Sequence, residues 1–303
     1  MKNLSVLIIG YGEMGHAMQY LLKGQKELIV YERNPKDHTT PIVLEDAVSK
    51  ADVLLFCLPV NPHREIIQRI TPYLKQSSLC VSIAKGLDET GQTAAQVFED
   101  VLGTKSDTKN NYALLYGPMI SEEIRAGRPA FAQLACDLSS YNIIRYLYSG
   151  TRLYIEHSHD IHGISWSVVL KNVYALIFGM SDELMLGDNM RGYLAVAALR
   201  ELDAIVRVMG GQETSSYHLA GLGDLITTAT SEDSHHHELG RMLAKETKEG
   251  IEGEGVHTLA MVSRHSLLNL ADYPLFELIH NIVKQPNQVG NKITNYLNQV
   301  FSC

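Results

Sequence analysis

The sequence predicts an α/β protein in which a doubly wound, mostly parallel sheet forms the N-terminal half and an all-helical domain follows it. Up to about residue 157, short apolar runs alternate with amphipathic stretches, a rhythm typical of β-α-β units. Beyond that residue, apolar side chains recur with helical spacing over long segments. Because the 303 residues are about twice the usual domain length, we expect two domains, at residues 1–157 and 158–303.

Six apolar runs predict the strands of the first domain, so the sheet should have about six or more strands. In chain order the runs are VLIIG, LIVYE, VLLFCLP, LCVSIA, YALLYG and FAQLAC. Helical patterns are present in GEMGHAMQYLLKG and at residues 62–75, 90–102 and 119–126. The second domain contains the long helical patterns WSVVLKNVYALIFGMSDELM and RGYLAVAALRELDAIVRVMG, and no proline follows residue 157 until Pro274.

Composition and charge exclude several classes of protein. With 45% hydrophobic residues, 20% charged residues and nine prolines, the chain has the composition of a folded protein rather than a disordered one. Its net charge of −8 opposes sequence-independent attraction to nucleic acid or anionic lipid. We therefore expect no nucleic-acid partner, and any anionic ligand must be bound by a local site.

The N-terminus and the cysteines indicate the compartment. The first residues lead directly into the strand-like VLIIG run, and no uninterrupted apolar run reaches transmembrane length. We therefore expect a cytoplasmic protein without integral membrane association. The wide spacing of the cysteines favours reduced thiols with a packing role over disulfides or a zinc site. These residues are Cys57, Cys80, Cys136 and Cys303.

A glycine motif, GYGEMG, lies between the first apolar run and a helical pattern, which is the context of a Rossmann-type dinucleotide-binding turn. In such a turn Gly10 permits the tight bend, Gly12 lets the backbone approach a pyrophosphate, and Gly15 permits close packing of helix on strand. The intervening Glu13 and Met14 belong to the same candidate cofactor site. The alternative is a glycine turn with only a structural role.

The residues at the end of the second predicted strand indicate whether NAD or NADP is the cofactor. Glu32 follows Gly10 by 22 residues, close to the spacing of the acidic residue that binds a ribose in dinucleotide-binding units. Its carboxylate would accept a hydrogen bond from a 2′-hydroxyl and repel a 2′-phosphate, whereas the adjacent Arg33 could pair with that phosphate. The expected cofactor is NAD or NADP, with NAD modestly favoured.

Three polar residues are candidates for chemistry, and each has a structural alternative. Lys85 follows the LCVSIA run, at the sheet edge where α/β proteins bind ligands, although a lysine there can simply be solvated. Lys171 lies within the most apolar helical pattern, where burial would adapt it for proton transfer unless it reaches solvent along a helix edge. Asp224 takes the natural N-cap position of a helix, so capping is its alternative role.

Two histidine clusters, HSHDIH and SHHHE, raise the question of a metal site. Consecutive residues of a helix point in different directions, so neither cluster has the spacing of ligands on one helix face. We expect no metal.

These motifs, in this order, resemble the bacterial NAD(P)-dependent sn-glycerol-3-phosphate dehydrogenase family over essentially the whole chain. IAKGLDE is similar to the family's SKG segment, and GPMISEEIRAGRPAFA at 117–132 to its GPSFAxEIAxGxPTA. The longest blocks are LKNVYALIFGMSDELMLGDNMR at 170–191, similar to LKNVxAIAxGxxxGxxxGxNxR, and AGLGDLITTATSEDSHHHELG at 220–240, similar to AGLGDLxLTCTSxxSRNRxxG. IEGEGVHT at 251–258 is similar to xEGxxT.

The resemblance implies hydride transfer between NAD(P) and a small phosphorylated ketone or polyol, interconverting dihydroxyacetone phosphate and sn-glycerol 3-phosphate for glycerophospholipid synthesis. It implies Lys171 as the general acid/base, with Asp224 and Asn172 beside it, in a cleft between the domains. Glu254 and Lys85 would join the cofactor site. The implied substrate-binding residues are Lys85, Gly117, Lys171, Asp224, Thr228, Ser234, His235 and His236. The apolar helical half favours a homodimer.

The chain departs from the family pattern in the SRN triplet that grips the substrate phosphate. Ser234 is retained, but His235 and His236 replace the arginine and the asparagine, and imidazoles are largely neutral at pH 7. Arg191 or Arg241 could hold the phosphate instead, or the substrate could differ. Further departures from the family blocks are Met119, Ser121, Ser167 and Val168.

Two other functions stay open. A related β-hydroxyacid or ketopantoate-type reductase would share a Rossmann-type domain, a helical domain and a Lys/Asn pair, but the AGLGD block argues against it. A catalytically retired NAD-binding sensor would explain the altered triplet. Against that alternative, a sensor need keep only the glycine turn, whereas this chain also keeps the polar residues Lys85, Lys171, Asn172, Asp224 and Thr228.

Overall fold

The computed structural model describes residues 4–25, 27–34, 42–103, 112–231, 234–247 and 249–302. The chain divides into two compact units. The first comprises Met1–Asp88 with Gln92–Ile161, and the second comprises Glu89–Gly91 with His162–Cys303.

The first unit is built on a seven-stranded sheet, counted over the described residues. Its strands are β1 (Ser5–Ile9), β2 (Glu27–Tyr31), β3 (Val53–Phe56), β4 (Leu79–Ser82), β5 (Tyr112–Tyr116), β6 (Ala130–Ala135) and β7 (Leu153–Ser158). Their spatial order is β2-β1-β3-β4-β5-β6-β7. Neighbouring strands are parallel except β5 and β6, which are antiparallel. The strand order reverses between β1 and β3, and a crevice at the carboxyl ends of strands is expected at such a switch point.

Six helices accompany this sheet in the described part of the first unit: α1 (Glu13–Leu21), α2 (Leu44–Lys50), α3 (His63–Ile70), α4 (Ala94–Leu102), α5 (Ser121–Arg125) and α6 (Leu138–Leu147). Local capping fixes where some of them begin. Thr93 and Gln96 form a reciprocal capping box at α4, and the Asp137 carboxylate accepts two backbone N–H bonds at α6. Strands β1 and β3 are buried along their whole length, as expected where helices cover both faces of a parallel sheet.

The described residues of the second unit form helices joined by loops, with no strand. Its α-helices are α7 (Ile161–Glu183), α8 (Gly187–Val208), α9 (Asp224–Thr230), α10 (His235–Ala244), α11 (Glu254–Arg264), α12 (Pro274–Lys284) and α13 (Val289–Phe301). A 3₁₀ turn at Ser215–Tyr217 and a π-helical turn at Leu219–Gly223 connect α8 to α9.

Helix α7 is the centre of the second unit. By length and composition it is the one helix of the described chain that could cross a membrane, and its apolar window is wholly buried inside the protein. A helix that is apolar on all sides is stable where the rest of the protein surrounds it, and α7 is such a core helix. Lys171 and Asn172 lie in the middle of this helix, and both are buried.

The predicted fold class is confirmed: a Rossmann-type, mostly parallel sheet is followed by an all-helical region. All six predicted strands are present. The prediction missed strand β7 and helices α2 and α6. The boundary predicted at residues 157/158 falls inside β7, and the compact units divide at Ile161.

The cysteines that can be described are buried free thiols, namely Cys57, Cys80 and Cys136. Cys303 lies outside the described residues. Burial raises the pKa of each of the three described thiols to about 12, so they are unreactive neutral groups.

Candidate active site

The glycine motif forms the turn between β1 and α1. Gly10 has a φ of +99°, and a Cβ there would collide with the Leu58 side chain and the Cys57 carbonyl oxygen. A Cβ at Gly15 would collide with the carbonyl oxygen of Gly10. Gly12 differs, because a Cβ there would meet no atom within 4 Å. The first and third glycines therefore permit the close turn, while the second faces open space at the start of α1.

The N-terminus of α1 fits a pyrophosphate. Gly12 is its N-cap, with no side-chain hydrogen bond to the first turn, so the first backbone N–H groups are available to an anion. The one acidic side chain of this first turn, Glu13, pairs with Arg125 at 2.8 Å. The N-terminus of α1 is therefore suited to bind the pyrophosphate of the dinucleotide that the sequence predicts.

The end of β2 lies beside this turn. The Gly10 N–H donates to the Tyr31 carbonyl at 2.9 Å. Glu32 is the residue after Tyr31, so its backbone lies next to the glycine turn. Arg33, by contrast, has a partner: its guanidinium lies 3.3 Å from Glu65, with both side chains exposed. An exposed ion pair contributes little to stability. However, Glu65 would compete with a cofactor 2′-phosphate for the Arg33 guanidinium.

Lys85 leaves the carboxyl end of β4 and donates to the Gly117 carbonyl oxygen at 3.2 Å. Gly117 follows β5, and a Cβ there would lie 2.5 Å from the Phe131 carbonyl oxygen. The close approach of two backbone segments therefore requires glycine at this position. These contacts bring together the IAKG and GPMI blocks of the sequence.

Sequence reasoning missed a buried polar pair, His63 and Ser82, at the end of the strand that leads to Lys85. His63 is fully buried at the start of α3 and contacts the Pro59 carbonyl through Nδ1 at 2.9 Å and Ser82 Oγ through Nε2 at 3.0 Å. Ser82 Oγ also accepts the Ala84 N–H at 3.1 Å. Since Nδ1 must donate to the carbonyl, Nε2 accepts the Ser82 hydroxyl. This pair fixes the backbone that carries Lys85, and burial lowers the pKa of His63 to about 4.

In the second unit the structure joins Lys171 to Asp224 and Thr228. The Lys171 ammonium donates to Thr228 Oγ1 at 2.6 Å and lies 3.2 Å from Asp224 Oδ2. All three side chains are at least nine-tenths buried. Thr228 Oγ1 in turn donates to the Asp224 carbonyl at 2.7 Å. Lys171 is therefore a buried, paired cation, and the alternative in which it reaches solvent is wrong.

Asp224 does not cap a helix through its side chain, contrary to one of its two predicted roles. Gly223 is the N-cap of α9, with helical dihedral angles and no side-chain cap bond. The π-helical turn leads into α9 without an extended residue, so Asp224 is already the first helical residue. Its carboxylate points to Lys171 instead.

Asn172 is buried next to Lys171 on α7, and no described residue makes a hydrogen bond to its Oδ1. A buried acceptor without a partner costs free energy unless a ligand or water supplies the bond. The Asn172 carbonyl packs against Gly255, where a Cβ would collide with it. The start of α11 thus lies directly on the Lys-Asn segment.

His235 and His236 contact the backbone at the start of α11. His235 Nε2 lies 2.8 Å from the Glu252 carbonyl, so this nitrogen donates. His236 Nε2 accepts the Gly255 N–H at 3.4 Å, so this nitrogen carries a lone pair. Ser234 is the N-cap of α10 and accepts the His237 N–H at 3.3 Å. His236 in this arrangement is a neutral imidazole.

The alternative phosphate ligands differ in their surroundings. Arg191 is held by Asp182 at 2.7 Å and Asp188 at 3.2 Å. Asp182 also accepts from His237 at 2.7 Å. Arg241 Nε is buried and has no hydrogen-bond partner among the described residues. Of the two arginines, Arg241 is the one whose Nε still needs an acceptor.

Glu254 begins α11, and burial raises its pKa to about 7. Its position beside Gly255 places it next to the His236 contact. The described residues contain no group of three or more histidine, cysteine or acidic side chains placed to hold a metal ion. His157 instead contacts the Cys136 carbonyl at 2.8 Å and the ring of His159.

The fold and these residues define a class: an oxidoreductase that uses a nicotinamide dinucleotide, with a Rossmann-type unit and a helical unit. The model of the NAD-dependent glycerol-3-phosphate dehydrogenase N-terminus matches residues 35–141, and the model of the C-terminus of the same family matches residues 160–294. The chain belongs to the NAD-dependent glycerol-3-phosphate dehydrogenase family, and the resemblance inferred from the motifs is confirmed.

Relatives support the assignment along the chain. The chain is 29% identical over 267 residues to a glycerol-3-phosphate dehydrogenase [NAD(P)+] of Syntrophomonas wolfei, covering 84% of this chain and 76% of the relative. It is 27% identical over 312 residues to the protein of that name in Nitratidesulfovibrio vulgaris, covering 92% and 94%. The crystal structure of glycerol-3-phosphate dehydrogenase from Coxiella burnetii superposes with a TM-score of 0.80 at 25% identity, covering 96% of this chain and 99% of that one.

Proposed function

We propose that this protein interconverts dihydroxyacetone phosphate and sn-glycerol 3-phosphate with NAD or NADP, and that it supplies glycerol 3-phosphate for glycerophospholipid synthesis. The observation that carries the proposal is the buried Lys171–Asp224–Thr228 cluster. Asn172 follows Lys171 on α7, and its buried Oδ1 has no hydrogen-bond partner among the described residues. A ketone reductase needs a proton donor at the developing alkoxide and polar groups that orient the substrate, and this cluster supplies both.

NAD or NADP, when bound at the glycine turn, would supply or take up the hydride at the substrate carbon. Lys171 donates a proton to the carbonyl oxygen during ketone reduction and accepts it from the hydroxyl in the reverse direction. Asp224, 3.2 Å away, stabilises the ammonium form, and Thr228 fixes its direction. Asn172 Oδ1 is available to accept a substrate hydroxyl, and Lys85 supplies a cation at the carboxyl edge of the sheet in the first unit.

We place the cofactor at Gly10, Gly12, Glu13, Met14 and Gly15, with Glu32 and Arg33 at the ribose end and Glu254 as a further contact. We place the substrate phosphate near Ser234, His235 and His236. His236 Nε2 accepts the Gly255 N–H, so its proton is on Nδ1, from which it could donate to a phosphate oxygen. His235 donates through Nε2, so its Nδ1 would have to bind a second proton before it could do the same. Such a grip is weaker than a guanidinium fork.

We also propose a cytoplasmic homodimer. The helical unit leaves several large apolar side chains exposed, a feature typical of protein contact surfaces; they are Met185, Val196, Val208 and Phe301. Light scattering after gel filtration gives the mass in solution. A mass of one chain at micromolar concentration contradicts the dimer.

The function is tested by following NADH and NADPH oxidation with dihydroxyacetone phosphate, ketopantoate and unphosphorylated dihydroxyacetone. We expect turnover with dihydroxyacetone phosphate and little with the other two. Faster turnover of ketopantoate assigns the protein to that reductase class instead. Binding of NADH without turnover of any of the three substrates identifies a sensor.

A further inference from the structure

Sequence motifs give the residues that touch Lys171 but not what holds them in place. In the second unit, Asp203 of α8 is buried and accepts the Ser216 hydroxyl through Oδ1 at 2.7 Å. Its other oxygen, Oδ2, pairs with Arg207 at 3.0 Å, one helical turn further along. Ser216 is fully buried in the 3₁₀ turn. The hydrogen bond therefore anchors this turn to α8.

The 3₁₀ turn that contains Ser216 packs directly against Gly221 of the AGLGD motif. A Cβ at Gly221 would collide with the Ser216 carbonyl oxygen and would lie 2.7 Å from its carbonyl carbon. Two backbone segments are thus in contact, with no side chain between them. Any shift of Ser216 is passed to Gly221, because closely packed segments transmit displacement.

Gly221 belongs to the π-helical turn that sets the register of α9. The N–H groups of Gly221 and Gly223 both donate to the His218 carbonyl, at 3.2 and 3.1 Å. π-helical turns are rare and occur mostly at functional sites. Here the turn ends at Gly223, and the next residue is Asp224, 3.2 Å from the Lys171 ammonium.

We propose that Asp203 and Ser216 are positioning residues for the reaction: through Gly221 and the π-helical turn they hold the Asp224 carboxylate against Lys171. This inference rests on the proposed function for its kinetic consequences only. Asp203 and Ser216 bond to each other, and Asp203 to Arg207, rather than to Lys171 or Asp224, so their effect is transmitted by backbone packing.

Hydrogen exchange tests the support without any substrate. Ser216→Ala and Asp203→Ala should speed amide exchange in peptides covering residues 216–230. Asp203→Asn keeps an oxygen that can accept the Ser216 hydroxyl, so exchange should return to the parent rate. Arg207→Ala is the matched control, because it removes the ion pair on Asp203 and leaves the Ser216 bond intact. Unchanged exchange in both alanine variants of the anchor overturns the proposal.

Kinetics provide the second test, at a temperature where circular dichroism shows every variant folded. Ser216→Ala should lower kcat about tenfold or more, the usual scale for a small misplacement in an active site. The alkaline limb of its kcat profile for ketone reduction should move to lower pH, since a displaced carboxylate stabilises the Lys171 ammonium less. Asp203→Asn and Arg207→Ala should keep the parent profile.

The two tests separate this proposal from the proposed function. If the parent enzyme reduces dihydroxyacetone phosphate and Ser216→Ala keeps its kcat and profile, the positioning role is wrong. If the parent turns over none of the substrates, the proposed function fails, and the exchange rates alone decide whether Asp203 and Ser216 hold the turn. A loss of thermal stability with an unshifted pH profile indicates a structural bond only and also overturns the positioning role.

Discussion

Lys171 carries the chemical proposal at the scale of single residues, because it is the buried cation of the second unit that is paired with Asp224. Lys171→Met should abolish turnover and leave NADH affinity nearly unchanged, since the lysine acts on the substrate oxygen. Loss of a proton donor costs about 10² to 10⁴ in rate. Steady-state kinetics and NADH fluorescence titration measure the two effects.

The control for this variant is Lys245→Met. Lys245 is an exposed lysine of the same unit, 3.3 Å from Glu183, and its removal should leave both quantities unchanged. If Lys171→Met keeps more than about a tenth of kcat, Lys171 is not the acid/base.

His235 and His236 test how the phosphate is held. His235 Nε2 donates to the Glu252 carbonyl before α11, and His236 Nε2 accepts the Gly255 N–H in the first turn of α11. Protonation of His236 Nε2 would break the bond to Gly255. The double variant His235→Arg with His236→Asn restores the family's pair. It should lower KM for dihydroxyacetone phosphate about ten- to a hundredfold at pH 8, the scale of one charge-assisted contact.

Unphosphorylated dihydroxyacetone is the control substrate for the double variant, because its KM should not improve. If KM for the phosphorylated substrate also stays unchanged at pH 8, these positions do not contact phosphate in this protein. Arg241, with its buried Nε, then becomes the next residue to substitute.

Glu32 and Glu65 together set the expected cofactor preference. Glu32→Ser should raise the ratio of kcat/KM for NADPH to that for NADH, since a carboxylate repels a 2′-phosphate. Adding Glu65→Ala should raise it further, because Arg33 then loses its carboxylate partner at 3.3 Å. A ratio that neither substitution moves means that this strand end does not face the ribose.

At the scale of elements, the β1–α1 turn distinguishes two roles of glycine. Gly12→Val should abolish NAD binding while the protein stays folded, because the new side chain enters the open space at the start of α1. Gly15→Val should unfold or strongly destabilise the first unit, since its Cβ would strike the Gly10 carbonyl. Calorimetric titration with NAD and thermal unfolding separate the two outcomes, and NAD binding to folded Gly12→Val excludes this turn as the phosphate site.

The elements also show what sequence patterns can and cannot predict. Strands buried on both faces, such as β1 and β3, are continuous apolar runs and were predicted. Strand β7 is at the edge of the sheet, and only Leu153 of its six residues is buried, while Tyr154 and Glu156 are exposed. A search for continuous apolar runs therefore misses it.

The candidate site also contains some features that the sequence predicts and others that only the fold reveals. The Lys-Asn pair is adjacent in sequence and was found from motifs. The partnerships of Asp203 with Ser216 and of His63 with Ser82 join different elements, so only the fold brings them together. One signal for His63 was available: it begins α3, after the loop that follows the carboxyl end of the buried strand β3, and α/β proteins position ligand-binding groups at such strand ends.

For the whole molecule, stability against pH should contain a contribution from His63. Burial lowers its pKa to about 4, whereas an imidazole in an unfolded chain titrates near 6.5. Between these values the unfolded chain binds more protons, so stability is lost as pH falls from about 6.5 to 4. The shift corresponds to about 3 kcal/mol in total.

His63→Gln isolates this contribution because glutamine does not titrate. The stability advantage of the parent over the variant should shrink by about 3 kcal/mol between pH 7 and pH 4. Trp166, the single tryptophan, lies in α7 of the other unit, so its fluorescence is the wrong probe. Hydrogen exchange of peptides covering β3 and β4 reports on the unit that contains His63. A difference for His63→Gln that does not change with pH would show that His63 is not held neutral by the fold.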